Sequence, residues 1–240
     1  MGGDRGMQAE KLLEIKEVIR RSYNVKSFRL AAPEWIDFSA GQFLMVALGD
    51  DPGLKRYLSI SSSPTEKGYL EFTKKITQSG FSSALDRLKP GDSVKVRYPF
   101  GSFTLQDSPH KIAFLSGGIG ITPVRSMCKY AVDKNIGKDI VLIYANRSMR
   151  DIVFADDFSA LSAAYPLLRL VHVLCEAEPG FKCSTGQIDA GLIRKEIPDY
   201  MDRRFYLCGP PQMVAAMRAI LEKELGLDKG LIVTENFQGY

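Results

Sequence analysis

The sequence lacks the features that mark several classes of protein. Its four cysteines, at positions 128, 175, 183 and 208, form no Cys-x2-Cys pair, which argues against a zinc site or a plant-type iron–sulfur cluster. No apolar run approaches the roughly 18 residues that span a membrane, and Met1–Gln8 has no signal-peptide core. We therefore expect no metal site, no membrane span and a reducing, cytoplasmic compartment.

An excess of charge of one sign is also missing. The 240 residues include 32 Lys and Arg against 28 Asp and Glu, a formal net charge of +4. This balance predicts no nucleic-acid binding, although a local basic patch can hold a dinucleotide or an acidic redox partner. Hydrophobic residues make up 45% of the chain, enough for one or two ordinary globular domains.

The pattern of apolar runs changes near the middle of the chain. In the first half, short runs rich in Val, Ile, Phe and Tyr alternate with Pro- and Gly-containing turns, which predicts a small antiparallel barrel. In the second half, strands alternate with helices, which predicts a parallel sheet covered on both faces. We predict a flexible leader at 1–9, a barrel domain at 10–108 and an α/β domain at 109–240.

The individual elements follow from the same reading. The predicted barrel strands are Val25–Leu30, Gln42–Leu48, Arg56–Ser61, Tyr69–Lys75 and Ser93–Tyr98, with a helix at Phe81–Leu88. The predicted α/β strands are Lys111–Leu115, Asp139–Tyr144, Leu168–Leu174, Phe205–Cys208 and Leu231–Glu235, with helices near Pro123–Asn135, Ala155–Ala164 and Pro211–Leu225.

A glycine-rich turn stands early in the second half. Ser116–Pro123 (S-G-G-I-G-I-T-P) follows an apolar strand and opens a helix. Thr122 suits the helix N-cap and Pro123 the first helical position, and the glycines let a phosphate or ribose approach the helix N-terminus. A tight turn that binds nothing is the alternative, because Pro123 replaces the third glycine of the dinucleotide fingerprint.

Two further motifs carry weaker signals when taken alone. Tyr206–Met213 (Y-L-C-G-P-P-Q-M) puts Cys208 at the carboxyl end of a strand, where open α/β sheets bind ligands; a small buried side chain is the alternative. Arg56–Pro64 (R-Y-L-S-I-S-S-S-P) begins a strand with an arginine that suits a phosphate; an ordinary edge strand is the alternative.

In this order the three motifs resemble those of the ferredoxin–NADP reductase superfamily, and the resemblance covers roughly Glu10–Tyr240. In that family an R-x-Y-S strand holds the flavin, G-G-x-G-x-T-P opens the nicotinamide domain and C-G-P-P-x-M closes it. The resemblance implies a short-form flavoprotein oxidoreductase without a fused iron–sulfur domain. It also implies a fold in which an antiparallel flavin-binding barrel is followed by a parallel-sheet nicotinamide-binding domain.

On the flavin side, the resemblance implies that Arg56 pairs with the phosphates and that Ser59 lies near flavin N5, where hydride arrives. Leu58 stands where the family has tyrosine, and Tyr57 points to the other face of the strand, so stacking on the ring departs from the pattern. A pyrophosphate cradle favours FAD over FMN. The other implied contacts are Phe72, Thr73 and Lys75 on the next strand, and Gly80 with Ser83, or Ser79 with Ser82, at the pyrophosphate.

On the nicotinamide side, the implied catalytic set is Ser59, Cys208 and Glu235, with Glu235 ordering the other two. Phe237 or Tyr240 would shield the flavin, and a frayed tail is the alternative. The implied nucleotide contacts are Gly117, Gly118, Gly120, Thr122, Pro123, Arg147, Cys208, Gly209 and Pro210.

The resemblance leaves the nucleotide and the acceptor open. Arg147 and Arg150 suit the 2′-phosphate of NADPH, yet similar A-N-R segments occur in relatives that use NADH, and a solvated turn is the alternative for Arg150 and Asp151. The implied function is hydride transfer from NADH or NADPH to FAD and electron transfer to a separate ferredoxin, oxygenase component or other redox protein. The alternatives are reduction of free flavin or small acceptors, a flavin-binding subunit of a larger complex, and a module that lost its flavin through Leu58.

Overall fold

The computed structural model describes residues 10–33, 37–105, 110–176 and 178–236, which form two six-stranded sheets. The expected leader at 1–9, the expected boundary at 108/109, and both Phe237 and Tyr240 lie outside these residues. No helix in the described ranges is long and apolar enough to cross a membrane.

The first sheet is antiparallel throughout, and its strand order is β4-β3-β6-β1-β2-β5. A bridge between Ile60 and Phe72 joins its two edges, which closes the sheet into the predicted barrel. Alternate side chains such as Phe28, Leu44 and Phe72 point inward and form its core. Its elements are β1 (Lys11–Arg20), β2 (Val25–Ala31), β3 (Phe43–Ala47), β4 (Lys55–Ser59), β5 (Tyr69–Lys75), α1 (Gly80–Asp86) and β6 (Ser93–Phe100).

Strand β1 was not predicted, because its sequence KLLEIKEVIR breaks strict alternation. Leu12 is exposed although it is apolar, and the register shifts between Ile15 and Glu17, so the period-2 pattern is interrupted. Only Ile15 of this strand is fully buried. The strand is nevertheless central, since it pairs with both β2 and β6.

The second sheet is parallel, with strand order β10-β9-β8-β7-β11-β12, as the alternation of strands and helices predicted. Helices α2 and α3 pack on one face and α4 and α5 on the other. The elements are β7 (Lys111–Gly117), α2 (Ile121–Asp133), β8 (Asp139–Ser148), α3 (Ala155–Ala164), β9 (Leu168–Glu176), β10 (Ser184–Thr185), α4 (Ala190–Glu196), β11 (Arg204–Gly209), α5 (Pro211–Ala219) and β12 (Ile232–Asn236).

One local expectation in this half was wrong, and two short elements were not predicted. Thr122 is not the N-cap of α2: Gly118–Gly120 form a 3-10 turn that runs directly into the helix, and the Thr122 hydroxyl donates to the Ile119 carbonyl at 3.1 Å. Helix α5 continues after Ala219 as a π-helical turn (Ile220–Glu224), so the predicted helix at Pro211–Leu225 is present over nearly its whole length. Helix α4 and the two-residue β10 were missed because both are too short for a clear periodic signal.

Candidate functional site

Four side chains of different strands stand in one row at the carboxyl edge of the parallel sheet. Tyr144 pairs in register with Ser116, Ser116 with Cys208, and Cys208 with Glu235. Open α/β sheets bind ligands at this edge. The row therefore brings together two of the predicted catalytic residues, Cys208 and Glu235, from strands that are neighbours in space.

The two glycine turns of this domain touch each other directly beside that row. A Cβ on Gly120 would lie 2.5 Å from the Cys208 carbonyl oxygen and 2.6 Å from the Gly209 Cα, and a Cβ on Gly209 would meet the backbone of Gly117 at 3.3 Å. Only glycine permits this approach at Gly120. The two turns are therefore packed on each other. Of the predicted nucleotide contacts there, Gly117, Gly118 and Pro210 line the interdomain cleft, whereas Gly120, Thr122, Pro123, Cys208 and Gly209 are buried behind them.

The electrostatics of the row keep Cys208 as a neutral thiol. Burial, and secondly the charge of Glu235, hold the pKa of the fully buried Cys208 thiol well above its usual value. Burial also raises the pKa of Glu235 to about 7. Within the described ranges no hydrogen bond joins Glu235 to Ser59, and the buried Ser59 hydroxyl has no protein partner there.

A cleft of about 620 Å³ opens at this edge and is lined by both halves of the molecule. Gly117, Asn146 and Pro210 line it from the α/β half, and Tyr23 and Lys75 from the barrel. Asn146 is buried, with 7% relative exposure, yet neither atom of its side-chain amide has a hydrogen-bond partner among the described residues. A buried, unsatisfied amide in a cleft is a group prepared for a polar ligand.

The segment that follows β8 is partly solvated, because Arg150 is exposed, but it also makes specific contacts. Asp151 accepts a hydrogen bond from the Tyr23 hydroxyl at 2.9 Å and one from the Ser148 hydroxyl at 2.7 Å, while the Arg150 guanidinium lies over the Tyr23 ring. This segment therefore contacts the barrel across the cleft. Arg147 stays exposed and pairs with Glu176 at 2.8 Å.

Basic side chains lie close together around the carboxyl end of β5. Lys74 is buried, and burial followed by the charges of Arg56 and Lys75 lowers its pKa to about 8. Arg56 also lies over the Phe81 ring of α1, so α1 and the start of β4 adjoin this cluster. A buried lysine beside the half-buried Arg56 and the exposed Lys75 fits a polyanion such as a pyrophosphate. Phe72 turns its side chain into the barrel core, whereas Thr73 points to the opposite face, where its hydroxyl meets those of Ser27 and Ser61; this leaves the backbone of both residues for any flavin contact.

The start of α1 distinguishes the two readings of its serines. Ser79 is the N-cap, and its hydroxyl accepts from the Ser82 backbone N–H at 3.2 Å. Ser82 is fully buried, with its hydroxyl 3.1 Å from that of Thr77. Gly80 and Ser83 are exposed at the same turn, so they are the pair that a phosphate can reach.

The two residues at the family tyrosine position face opposite ways. Leu58 is buried with the barrel core, whereas Tyr57 is 62% exposed and packs edge-on against the rings of Phe43 and Phe100 at 5.7 and 5.8 Å. Tyr57 therefore does not take the place of the missing tyrosine. The structure therefore has no aromatic side chain of β4 at the position of the family tyrosine, as the sequence predicted.

Comparison with known proteins identifies the two halves. Residues 11–105 match the family model of the oxidoreductase FAD-binding domain, and residues 114–219 match that of the oxidoreductase NAD-binding domain. The NADH-cytochrome b5 reductase 1 of Aspergillus terreus is 32% identical over 236 residues, which are 92% of this chain and 79% of that protein. The chain belongs to the ferredoxin–NADP reductase superfamily. This chain therefore has a FAD-binding barrel and a NAD-binding α/β domain.

Two further similarities support this placement. The glycine betaine monooxygenase reductase subunit of Chromohalobacter salexigens is 31% identical over 234 residues, 92% of this chain and 62% of that protein. The cytochrome b5 reductase domain of Ulva prolifera nitrate reductase superposes with a TM-score of 0.85 at 25% identity and covers 95% of this chain and 97% of that domain. The reductase thus spans about three fifths of the monooxygenase subunit that it matches.

The residues present fit both cofactors. The cation cluster of Arg56 and Lys74 beside the exposed start of α1 suits the pyrophosphate of FAD. The paired glycine turns and the unsatisfied amide of Asn146 suit a nicotinamide dinucleotide in the cleft. Sequence reasoning named most of these residues but missed Tyr23, and it gave no side-chain role to Lys74, Ser116 or Asn146; for Lys74, a basic residue at a buried position of β5 was the available signal.

We predict that Glu235→Gln changes how the stability of the FAD-free protein depends on pH. Because the folded-state pKa is raised from 4.5 to about 7, the native state binds more protons than the unfolded state in this window, and stability falls as pH rises through it. The glutamine variant lacks this fall. Since the carboxyl is partly exposed, solvent screening limits the gain at pH 8 to about 1–2 kcal/mol. Urea unfolding at pH 5 and pH 8 measures the free energy of unfolding of both proteins. The prediction is contradicted if the two free energies depend on pH in the same way.

Proposed function

We propose that this reductase transfers hydride from NADH or NADPH to FAD and passes the electrons to a separate redox protein, such as an oxygenase component. The observation that carries the proposal is the position of Cys208 and Glu235 at the sheet edge where both glycine turns meet, beside a cleft lined by both domains. The names of the relatives, reductase subunits of oxygenases and NADH-cytochrome b5 reductases, support the reaction and the kind of acceptor.

In the proposed reaction, residues of this chain would bind the two cofactors and align them. Arg56, Lys74 and the exposed start of α1 hold the FAD pyrophosphate, while Ser59 offers its hydroxyl at the end of β4. The glycine turns hold the dinucleotide, and the neutral Cys208 thiol packs beside the nicotinamide without reacting. Bound FAD supplies the chemistry, accepting two electrons together and releasing them singly or together. The main contribution of the protein is then alignment.

Anaerobic absorbance spectra of the purified protein, before and after NADH or NADPH, test the proposal. We expect a flavin spectrum that bleaches on addition of nucleotide, and the faster of the two nucleotides identifies the physiological donor. A protein that neither binds added FAD nor oxidises either nucleotide would exclude the proposed reaction. The cytoplasmic location expected from the scattered thiols stays a prediction.

We predict that Cys208→Ala slows flavin reduction at least tenfold while the protein stays folded. The substitution removes one sulfur atom from a small side chain, so the fold should persist, while the backbone of the two glycine turns that meet at Cys208 should shift and change the placement of the nicotinamide. Stopped-flow reduction at saturating nucleotide measures the rate, and circular dichroism is the control for folding. An unchanged rate constant would remove Cys208 from the mechanism.

One observation favours a second candidate, the reduction of free flavin. Leu58 lies in the barrel core and Tyr57 points away, so β4 presents no aromatic ring at the family tyrosine position. A flavin held without that ring is bound more weakly. Gel filtration separates the two functions, because an electron-transfer reductase elutes with its FAD and a free-flavin reductase elutes colourless but oxidises NAD(P)H when flavin is added.

A further inference from the structure

The two domains are joined by a buried arginine. Arg125 lies on α2, five residues after Gly120, and is 4% exposed. Its guanidinium donates to the Ser61 carbonyl oxygen at 3.1 Å and to the Glu66 carboxylate, with one contact at 3.0 Å. It also donates to the Asp157 carboxylate of α3 at 2.7 Å. One side chain of the nicotinamide domain therefore holds the loop that follows β4.

A second arginine, Arg21, connects Asp157 to the barrel. Arg21, at the end of β1, lies 3.5 Å from the same Asp157 carboxylate and donates to Glu71 at 3.1 Å. Glu71 is fully buried on β5, and it accepts a hydrogen bond from the Ser61 hydroxyl at 2.9 Å. Ser61, Arg125, Asp157, Arg21 and Glu71 thus form a closed ring, the interdomain ring, which crosses the domain interface twice.

The interdomain ring contains equal numbers of basic and acidic side chains, and neighbouring charged residues contact it. Arg29 is a third arginine, 3.0 Å from Glu71, so three arginines face the three carboxylates Glu66, Glu71 and Asp157. Arg125, followed by the Ser63 backbone, lowers the pKa of Glu66, which keeps that carboxylate ionised. Burying ion pairs contributes little net stability, because desolvation offsets the attraction, but it enforces one geometry.

The members of the ring sit next to the candidate reaction centre. Ser61 follows Ser59 by two residues at the end of β4, and Glu71 precedes Phe72 on β5, so the barrel side of the ring is the flavin side. Arg125 lies in the first turns of the helix that begins at the glycine turn packed on Cys208. A small rotation of one domain against the other would therefore displace the flavin strand and the nicotinamide turn relative to each other.

We propose that Arg125 and Asp157 are positioning residues for hydride transfer, because the interdomain ring sets the placement of the nicotinamide turn relative to the flavin strand. The inference rests on the proposed function. A misplacement of about 1 Å can cost about a hundredfold in rate, so weakening the ring slows the transfer without touching either cofactor.

The test compares Asp157→Asn, which keeps the shape but removes the charge, with wild type. We expect the rate constant of flavin reduction at saturating nucleotide, per bound FAD, to fall at least tenfold, and the long-wavelength charge-transfer absorbance to weaken. Small-angle X-ray scattering of the FAD-free variant should show a larger maximum dimension. Asp157→Glu should restore part of the rate. Arg125→Lys serves as the second variant if Asp157→Asn does not fold.

Asp133→Asn is the matched control. Asp133 also accepts a hydrogen bond across the interface, from Thr65, but it lies at the surface and outside the ring. We expect wild-type rates for it. An unchanged rate and charge-transfer band in Asp157→Asn, even with a lower melting temperature, would reduce the ring to a structural role. A wild-type protein that neither nucleotide reduces would instead exclude the proposed function, and the scattering comparison would still decide whether the ring fixes the domains.

Discussion

Replacing Gly120 with alanine should destabilise this protein by about 2–4 kcal/mol and weaken nucleotide binding at least a hundredfold. The added Cβ would lie 2.5 Å from the Cys208 carbonyl oxygen, 2.6 Å from the Gly209 Cα and 2.7 Å from the Cys208 carbonyl carbon. All three are backbone atoms, so no side-chain rotation relieves the contact. The α2 turn and the end of β11 must separate, and this opens the surface that would hold the dinucleotide.

Two other glycines make the result interpretable. A Cβ on Gly117 would meet the flexible Met213 thioether, which can move, so Gly117→Ala should cost less than Gly120→Ala. Gly191→Ala, in α4, meets only the Asp189 side chain at 3.3 Å and should be neutral or slightly stabilising. Urea unfolding and calorimetric titration with NAD⁺ and NADP⁺ measure both effects. A Gly120→Ala protein within 0.5 kcal/mol of wild type, on the scale of ordinary surface changes, would refute the steric argument.

Sequence reasoning succeeded where the physical signal is local. Apolar alternation placed β2 and β5 almost to the residue, and the glycine and proline spacing found the two turns that meet at Gly120 and Cys208. Both signals depend on a few neighbouring positions, because the pleat of a strand and the space at a turn are fixed within that distance.

It failed where the decisive contact joins distant segments. Tyr23 and Asp151 are 128 positions apart, and Arg125 and Ser61 are 64 apart. Nothing in the turn at Asp151 indicates that it will meet the barrel, so a solvated turn was the natural alternative. Sequence reasoning also placed the start of α2 at Pro123 rather than at Ile121. Here the reason is local: glycines can continue a 3-10 turn into a helix, which makes the Thr122 cap unnecessary.

Lys74 is the buried cation whose removal should have opposite effects on stability and on cofactor binding. Burial and the charges of Arg56 and Lys75 lower its pKa to about 8, so in the FAD-free protein its charged form is disfavoured. The folded state then binds fewer protons than the unfolded state between pH 8 and 10.5, and stability rises with pH across that window. Lys74→Met keeps most of the unbranched side chain but removes its charge, and it should make the FAD-free protein more stable at pH 7.

The same substitution should weaken FAD binding by about 10- to 100-fold, because a charge-assisted contact to a phosphate contributes about 1.5–3 kcal/mol. Lys89→Met, at an exposed position outside the cluster, is the control and should change neither property. Urea unfolding of the FAD-free proteins and fluorescence titration with FAD measure the two effects separately. A variant that gains stability and keeps its FAD affinity would show that the phosphates lie elsewhere. If instead both change as expected, burial of the Lys74 charge beside Arg56 and Lys75 destabilises the FAD-free protein, and pairing with the FAD pyrophosphate offsets that cost.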